Sequence, residues 1–194
     1  MNNKTGMAAR PRGTRRRFLL SRFYRNSDGA TAVEFGLLAI PFLMALFAIL
    51  ETGVQVAAQQ LLVNATDDVA RQIRTGQITS TNQAQLRTMI CERIELLVTS
   101  GCPGLRVDLR TYPSFQAVAN QNIDVVGNNI VLEYGSGGVP KALKAEVGAG
   151  GAKQSMRTFY FWPVMVGLLN ESFGTAGNGT TLLSATQTWQ NEAF

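Results

Sequence analysis

The chain has 194 residues, of which 18 are basic, 13 are acidic and none is histidine, so its formal net charge is +5. The absence of histidine excludes a catalytic triad or a general base built on that residue. Two cysteines without a histidine leave a tetrahedral zinc site short of ligands, and no phosphate-binding loop signature occurs. We therefore expect no enzyme activity, no cofactor, no metal and no small-molecule substrate.

The basic residues are concentrated in a leader, residues 1–29. The leader holds eight of the 18 basic residues and a single acid, Asp28. Basic residues beside an apolar segment are retained on the cytoplasmic side of a membrane. Without the leader the chain keeps 10 basic and 12 acidic residues, a net charge of 10 − 12 = −2. The positive charge thus belongs to the leader, and we predict no nucleic-acid partner.

An apolar segment follows the leader. Phe35 to Leu50 are sixteen uncharged residues, which rise about 24 Å as a helix. Including residues 30–33 reaches the roughly 30 Å of a bilayer's hydrocarbon core, but it places Glu34 inside the lipid. An isolated carboxylate there costs about 2.5 to 3.5 kcal/mol on insertion scales. We therefore expect Glu34 to have a partner or to be protonated.

Two small residues on this segment, Ala32 and Gly36, lie four positions apart. This spacing lets a second helix approach closely. The same spacing arises by chance in alanine-rich membrane helices, so a packing role and no role remain open alternatives.

The segment that begins at Gly29 reads GATAVEF, and with it the chain resembles the TadE-like family of pseudopilins, which assist assembly of the tight-adherence type IV pilus. The resemblance extends through ILETGVQVAAQQ and returns in TFYFWPVM and LLSATQTWQNEAF. It implies that a prepilin peptidase cuts between Gly29 and Ala30. It also implies that Glu34, with Phe35, is recognised in processing and assembly. The family usually ends with a proline where this chain has Ala193.

The resemblance further implies a function, a location and partners. The chain would be a minor pilin or pseudopilin required for pilus assembly, acting in adhesion and biofilm formation. It would cross the bacterial inner membrane once, with a cytoplasmic N-terminus and a periplasmic C-terminal domain, and could reach the extracellular pilus. Its partners would be the inner membrane, the prepilin peptidase, other pilin and pseudopilin subunits and the assembly platform. The alternatives are an uncleaved, membrane-anchored periplasmic scaffold and an adhesin at the pilus tip.

The helical pattern continues beyond the apolar segment. Apolar residues at spacings of three and four predict a helix from Thr31 to Thr75, stopped by Gly76. A capping box of Ser80 and Gln83 predicts a second helix from about Thr81 to Val98. The first helix, within residues 30–76, would cross the membrane and continue as an amphipathic periplasmic helix.

The two cysteines, Cys91 and Cys102, lie on the side expected to be exported to an oxidising compartment, which predicts a disulfide. A helix to Ser100 carries the chain about 13 Å away and two residues return roughly 7 Å, leaving about 6 Å. That separation is compatible with a disulfide only if the chain reverses sharply at Gly101.

Beyond Cys102 the apolar residues recur at every second position. Leu105, Val107 and Leu109 alternate with charged residues, which predicts a half-buried strand. Further strands are predicted over 121–126, 130–134, 156–161 and 182–189, with a turn at 126–129, and glycine-rich surface loops over 135–151 and 174–181. Residues 77–194 are therefore predicted to form a periplasmic α+β domain with a small antiparallel sheet, carried on a long helix in the lollipop layout of pilins.

Overall fold

The computed structural model describes residues 29–164 and 179–193. The chain divides into two compact units, with the boundary between Leu46 and Phe47. The predictions for the leader up to residue 28, and for residues 174–178 of the second glycine-rich loop, lie outside the described residues.

The first helix, α1, runs from Ala30 to Arg74, within one residue of its predicted bounds. It ends because Gly76 adopts φ 74°, a conformation that glycine enters without steric cost. The N–H groups of Gly76 and Gln77 then donate to the carbonyls of Ile73 and Gln72 and cap the last turn. Of the periodic apolar residues in the second half of α1, Ala58, Leu62, Ala65, Val69 and Ile73 are buried, as the spacing predicts, whereas Val54 is 45% exposed.

The second helix, α2, runs from Gln83 to Ile94, shorter than predicted at both ends. Its N-cap is Asn82 and not Ser80, so the predicted capping box was wrong by two residues. The Asn82 side chain accepts a hydrogen bond from Gln85 N–H at 2.9 Å, and Gln85 Oε1 accepts one from Asn82 N–H at 3.3 Å. Asparagine is as good an N-cap residue as serine. The sequence pattern alone therefore did not distinguish a capping box of Ser80 and Gln83 from one of Asn82 and Gln85.

Five strands and a short helix form the rest of the second unit: β1 (Leu105–Tyr112), α3 (Phe115–Ala119), β2 (Asp124–Val126), β3 (Asn129–Val131), β4 (Lys153–Pro163) and β5 (Thr180–Gln190). β1, β4 and β5 form an antiparallel sheet in the order β1-β4-β5, and β2 pairs with β3 in a separate hairpin. Each predicted strand is present, although β2 and β3 have only three residues each and are shorter than predicted, whereas α3 was not predicted. The α+β class is confirmed.

One face of the sheet packs against the two helices. The strand residues on this face alternate along each strand, as a period of two requires. The buried cluster includes Leu62, Val69 and Ile73 of α1, Leu86 and Ile90 of α2, and Leu105, Val107, Leu109, Met156, Leu183, Ala185 and Trp189 of the sheet.

The opposite face of the sheet is also covered, so the prediction of a half-buried β1 was wrong. Asp108 is fully buried and Arg110 is 3% exposed. A second apolar cluster on this side joins Ile130 and Leu132 to Phe159 and Phe161 of β4. The connection between β1 and β4 therefore forms a layer over the sheet.

The predicted mobile surface loop at residues 135–151 is held to the sheet along part of its length. Leu109 N–H donates to Lys144 C=O at 2.8 Å, and Glu146 N–H donates to Leu109 C=O at 2.9 Å. At Gly148 an added Cβ would lie 2.7 Å from Thr111 Cγ2 and 2.5 Å from Ala152 Cβ. Glycine is required here for a close approach of the chain, and the loop prediction is corrected at these residues.

The structure contains the predicted disulfide, with the Cα atoms of Cys91 and Cys102 5.8 Å apart. The reversal uses left-handed backbone at Gly101 (φ 76°) and Cys102 (φ 45°). The bridge ties the last turn of α2 to the residues that lead into β1.

Removing the disulfide is expected to destabilise the second unit by about 3 kcal/mol, because the crosslink restricts the unfolded chain. The test is the free energy of unfolding of the full chain in detergent, compared between wild type and Cys91→Ala/Cys102→Ala. Alanine is chosen because both positions are buried and a serine hydroxyl would add a desolvation cost. A reductant should lower the free energy of unfolding of wild type to that of the variant. Equal stability of variant and oxidised wild type would contradict the prediction.

Candidate functional site

The candidate site is the start of α1, where six predicted site residues lie within residues 29–36, a span of about two helical turns. Gly29 immediately precedes α1, and Ala30 is the first residue of the helix. Both are exposed, and no atom of the described residues from another segment lies within 4 Å of a Cβ built at Gly29. The bond between them therefore lies at a helix boundary.

Glu34 lies on α1 one turn after Ala30 and is exposed. Within residues 29–164 and 179–193, no group donates a hydrogen bond to its carboxylate or forms an ion pair with it. Its neighbours on the helix are apolar, and Phe35 is 74% exposed. In an apolar medium this carboxylate needs a partner from outside the described part of the chain, or a proton.

Ala32 is exposed and Gly36 is partly exposed. No atom from outside the local helix lies within 4 Å of a Cβ built at Gly36. The two small residues therefore leave a shallow notch on α1 that the described part of this chain does not fill. A backbone could approach closely there.

The exposed surface of α1 is unusually apolar. Among the described residues, α1 is the one helix long and apolar enough to cross a membrane, and its most apolar 18-residue window has no buried residue. Its length and composition are those of a single-pass membrane helix near the N-terminus. The candidate site residues lie at the beginning of this apolar stretch.

The second unit holds a buried group of charges on the covered face of the sheet. Arg110 Nε lies 2.8 Å from Asp108 Oδ2, and Arg110 also forms an ion pair with Glu133. Burial raises the pKa of Asp108, although the Lys144 backbone N–H and Arg110 oppose the shift. Burial would raise the pKa of Glu133 too, but the charge of Arg110, followed by those of Lys144 and Lys141, outweighs it and lowers that pKa. The cluster is covered by the layer over the sheet, which favours a structural role.

A second arginine anchors the same layer. Arg157 donates hydrogen bonds to the Tyr112 hydroxyl at 2.8 Å and to Val118 C=O at 3.0 Å, and its guanidinium lies 5.7 Å from the Tyr112 ring centroid. These contacts connect β4 to β1 and to α3. They explain why α3, which has only five residues, is held in place.

Two other places among the described residues bring polar or metal-ligating side chains together. An open cavity of about 310 Å³ lies between α1 and β5 and is lined by Asp67, Arg71, Arg74 and residues 187–189. The ligand atoms of Cys91, Glu95 and Cys102 lie within 4.8 Å of one another, but the disulfide uses both sulfur atoms. Neither place presents a nucleophile beside a base in the described residues.

The comparison with known families agrees with the geometry of α1. The family model of TadE-like proteins matches residues 29–71, which begin at the predicted cleavage site and cover nearly all of α1. The match confirms the likeness to TadE-like proteins, a family of pilus components, over this part of the chain. No curated protein and no solved structure is significantly similar to this chain.

Sequence reasoning missed the buried charges of the second unit. The alternation of Arg106, Asp108 and Arg110 on β1 is typical of a solvated face. The hydrophobic run Ile130 to Leu132 could have corrected this prediction. Such a run must be buried against an apolar surface, and the second face of the sheet provides one. Of these three charged residues, Arg106 is partly exposed and the other two are buried.

Proposed function

We propose that this protein is a minor pilin or pseudopilin of a tight-adherence pilus, inserted in the inner membrane with its leader in the cytoplasm and cleaved between Gly29 and Ala30. The observation that carries the proposal is Glu34, an exposed carboxylate without a described partner at the start of an apolar helix within the TadE-like match. A carboxylate in this position makes the free energy of membrane insertion less favourable unless assembly provides its partner.

The proposed partner of Glu34 is the new terminal amine of Ala30 on a neighbouring subunit. A terminal amine and a carboxylate neutralise each other, and the pair would fix the axial register of two packed helices. Ala30 and Glu34 are separated by one turn of α1. An intermolecular pair would therefore offset the two helices by about one turn, and the notch at Ala32 and Gly36 would allow them to approach.

Residues 77–194, which lie within the second unit, are proposed to form the periplasmic domain that contacts other subunits and the assembly platform. Its disulfide supports this location, because such bonds persist in oxidising compartments. The proposed roles in adhesion and biofilm formation follow from participation in the pilus.

The decisive measurement is the intact mass and N-terminal sequence of the protein purified from its native membrane. We expect a chain that begins at Ala30, because the proposed peptidase removes residues 1–29. A Gly29→Leu variant is the matched control and should keep its leader, since a bulky side chain replaces the glycine at the cut. A wild-type chain that retains the leader would favour the uncleaved scaffold. Surface labelling of sheared pili would then separate a filament or tip subunit from a helper that stays in the membrane.

A further inference from the structure

Strand β5 forms one edge of the three-stranded sheet, because the strand order is β1-β4-β5. The opposite edge, β1, is covered by its own chain: Leu109 bonds to the backbone of residues 144 and 146, and the Gln83 side chain donates to Val107 C=O. Among the described residues, β5 pairs with β4 alone. An edge strand leaves a row of N–H and C=O groups without a partner in the sheet.

Hydrogen bonds at the two ends of β5 show which of its backbone groups face β4. Just before β5, Val164 N–H donates to Gly179 C=O at 3.0 Å. Just after it, Asn191 N–H donates to Ala152 C=O at 2.8 Å. The backbone groups of successive residues alternate in direction along an antiparallel strand. The odd-numbered residues of β5 therefore bond to β4.

The backbone groups of the even-numbered residues point to the open edge, on the side of α1. The Gln59 side chain of α1 donates to Ser184 C=O at 2.7 Å. Beyond the end of β5, Glu192 N–H donates to Arg74 C=O at 3.0 Å. These two contacts connect the edge of β5 to α1 at two levels and leave the part between them open.

Three even-numbered residues of β5 lie between these two contacts, namely Thr186, Thr188 and Gln190. Nowhere in the described part of the chain does a group bond to their outward N–H or C=O groups. The outward groups recur about every 6.8 Å, because each strand residue rises about 3.4 Å, and an extended peptide has the same repeat. The open edge therefore presents the hydrogen-bonding pattern that an added strand completes.

The groove beside this edge carries charged side chains. The open cavity of about 310 Å³ between α1 and β5 is lined by Asp67, Arg71 and Arg74. Arg74 forms an ion pair with Glu192 at 3.7 Å, whereas Arg71 is exposed and has no ion pair with a described residue. Asp67, one turn before Arg71, is also exposed and would repel a second acid. The groove therefore favours one carboxylate beside Arg71.

We propose that the open edge of β5 accepts an extended, acidic segment of another protein as an added strand, with a carboxylate beside Arg71. Main-chain hydrogen bonds to the outward groups supply the affinity, and the arginine selects the charge. A second copy of β5 would bring no carboxylate to Arg71, because the strand sequence TTLLSATQTWQ is uncharged. This docking site does not depend on cleavage of the leader or on membership of a pilus.

The probe is a displayed library of random peptides, selected on the full-length protein in detergent. The selected peptides are synthesised, and their dissociation constants are measured by fluorescence anisotropy. Thr188→Pro removes an N–H that points to the open edge, where proline is tolerated. Thr188→Val is its matched control, because it keeps the N–H. Arg71→Gln and Asp67→Asn change the charge of the groove in opposite directions.

We expect the selected peptides to be acidic and to bind Thr188→Pro about tenfold more weakly than wild type, since one hydrogen bond is lost. Thr188→Val should bind like wild type. Arg71→Gln should weaken binding roughly two- to fivefold, the range for an exposed ion pair, and Asp67→Asn should strengthen it. The proposal is wrong if no peptide is selected, or if the selected peptides bind Thr188→Pro as tightly as Thr188→Val. Peptides without an acid, or insensitive to Arg71→Gln, would equally overturn it.

Two further measurements keep the result unambiguous. Light scattering gives the oligomeric state: self-association of wild type that Thr188→Pro abolishes would assign the edge to a second copy and overturn the proposal. Denaturant titration shows whether each variant is folded. If Thr188→Pro does not fold, Thr186→Pro and Thr186→Val give the same comparison at the neighbouring outward residue.

Discussion

Glu34→Ala is expected to remove the protein from sheared pili while its level in the membrane stays unchanged. The substitution removes a carboxylate that costs about 2.5 to 3.5 kcal/mol to insert, so the helix should enter the membrane at least as well. It also removes the proposed partner of the neighbouring Ala30 amine, which would then be a buried charge without compensation. Immunoblots of sheared pili and of carbonate-washed membranes measure the two quantities separately.

Two controls separate pairing from processing in this experiment. Glu34→Gln keeps the size and polarity of the side chain but not its charge, so it should fail like alanine if charge pairing is the cause. The intact mass of each variant shows whether Gly29 has been cleaved, which distinguishes a peptidase defect from an assembly defect. Wild-type amounts of cleaved Glu34→Ala in pili would refute the proposed pair.

Arg110→Met should reduce the free energy of unfolding by about 3 to 5 kcal/mol, the usual effect of leaving one partner of a buried ion pair uncompensated. Asp108 is fully buried, and Arg110 Nε is its nearest cationic group at 2.8 Å. Methionine keeps the apolar stem but not the charge. Denaturant titration of the full chain in detergent, followed by tryptophan fluorescence, measures the loss.

A double variant tests the physical cause. Asp108→Leu/Arg110→Met removes both charges, so it should be more stable than Arg110→Met alone, although Lys144 N–H loses its acceptor. Lys144→Met is the control for a surface pair: Lys144 and Glu146 are 3.1 Å apart but 40% and 45% exposed, and such pairs contribute about 0 to 1 kcal/mol. If Arg110→Met is as stable as wild type, the buried pair of Asp108 and Arg110 is not essential for stability.

The pH dependence of Arg110→Met gives a further check. Burial already raises the pKa of Asp108 above its ordinary value, and removal of Arg110 should raise it further. A raised pKa in the folded state means that folding is favoured while Asp108 is protonated and disfavoured once it ionises. The deficit of the variant relative to wild type should therefore be complete above the folded pKa and should shrink as the pH falls through it. A deficit independent of pH would indicate lost packing and not an uncompensated carboxylate.

The predictable part of the fold is the part in which one physical signal dominates. The period of α1 is continuous from the membrane segment to Ile73, and its end is marked by Gly76. Glu34 is conspicuous because a charge within an apolar run has no local explanation. The disulfide could be predicted because Cys91 and Cys102 are the two cysteines of a chain expected to be exported to an oxidising compartment, and a helix with a short return keeps them close enough to bond.

The less predictable part depends on contacts between segments that are distant in the chain. The alternation along β1 gives the two faces of the strand, but not what covers each face. Asp108 and Arg110 are buried because residues 113–147 fold back over them, and that segment has little periodicity of its own. The position of Lys144 beside β1 likewise depends on tertiary pairing with Leu109, which a glycine-rich sequence does not reveal.

The single disulfide also simplifies maturation of the protein. With two cysteines in the whole sequence, only one intramolecular pairing exists, and the partners are eleven residues apart. On the proposed export of residues 77–194, both thiols emerge from the membrane within a short interval, and these two cysteines offer no wrong bond within the chain. Oxidation would therefore require an electron acceptor but no isomerase to correct errors. The tip of α2 would acquire its final shape as soon as an oxidant reaches it.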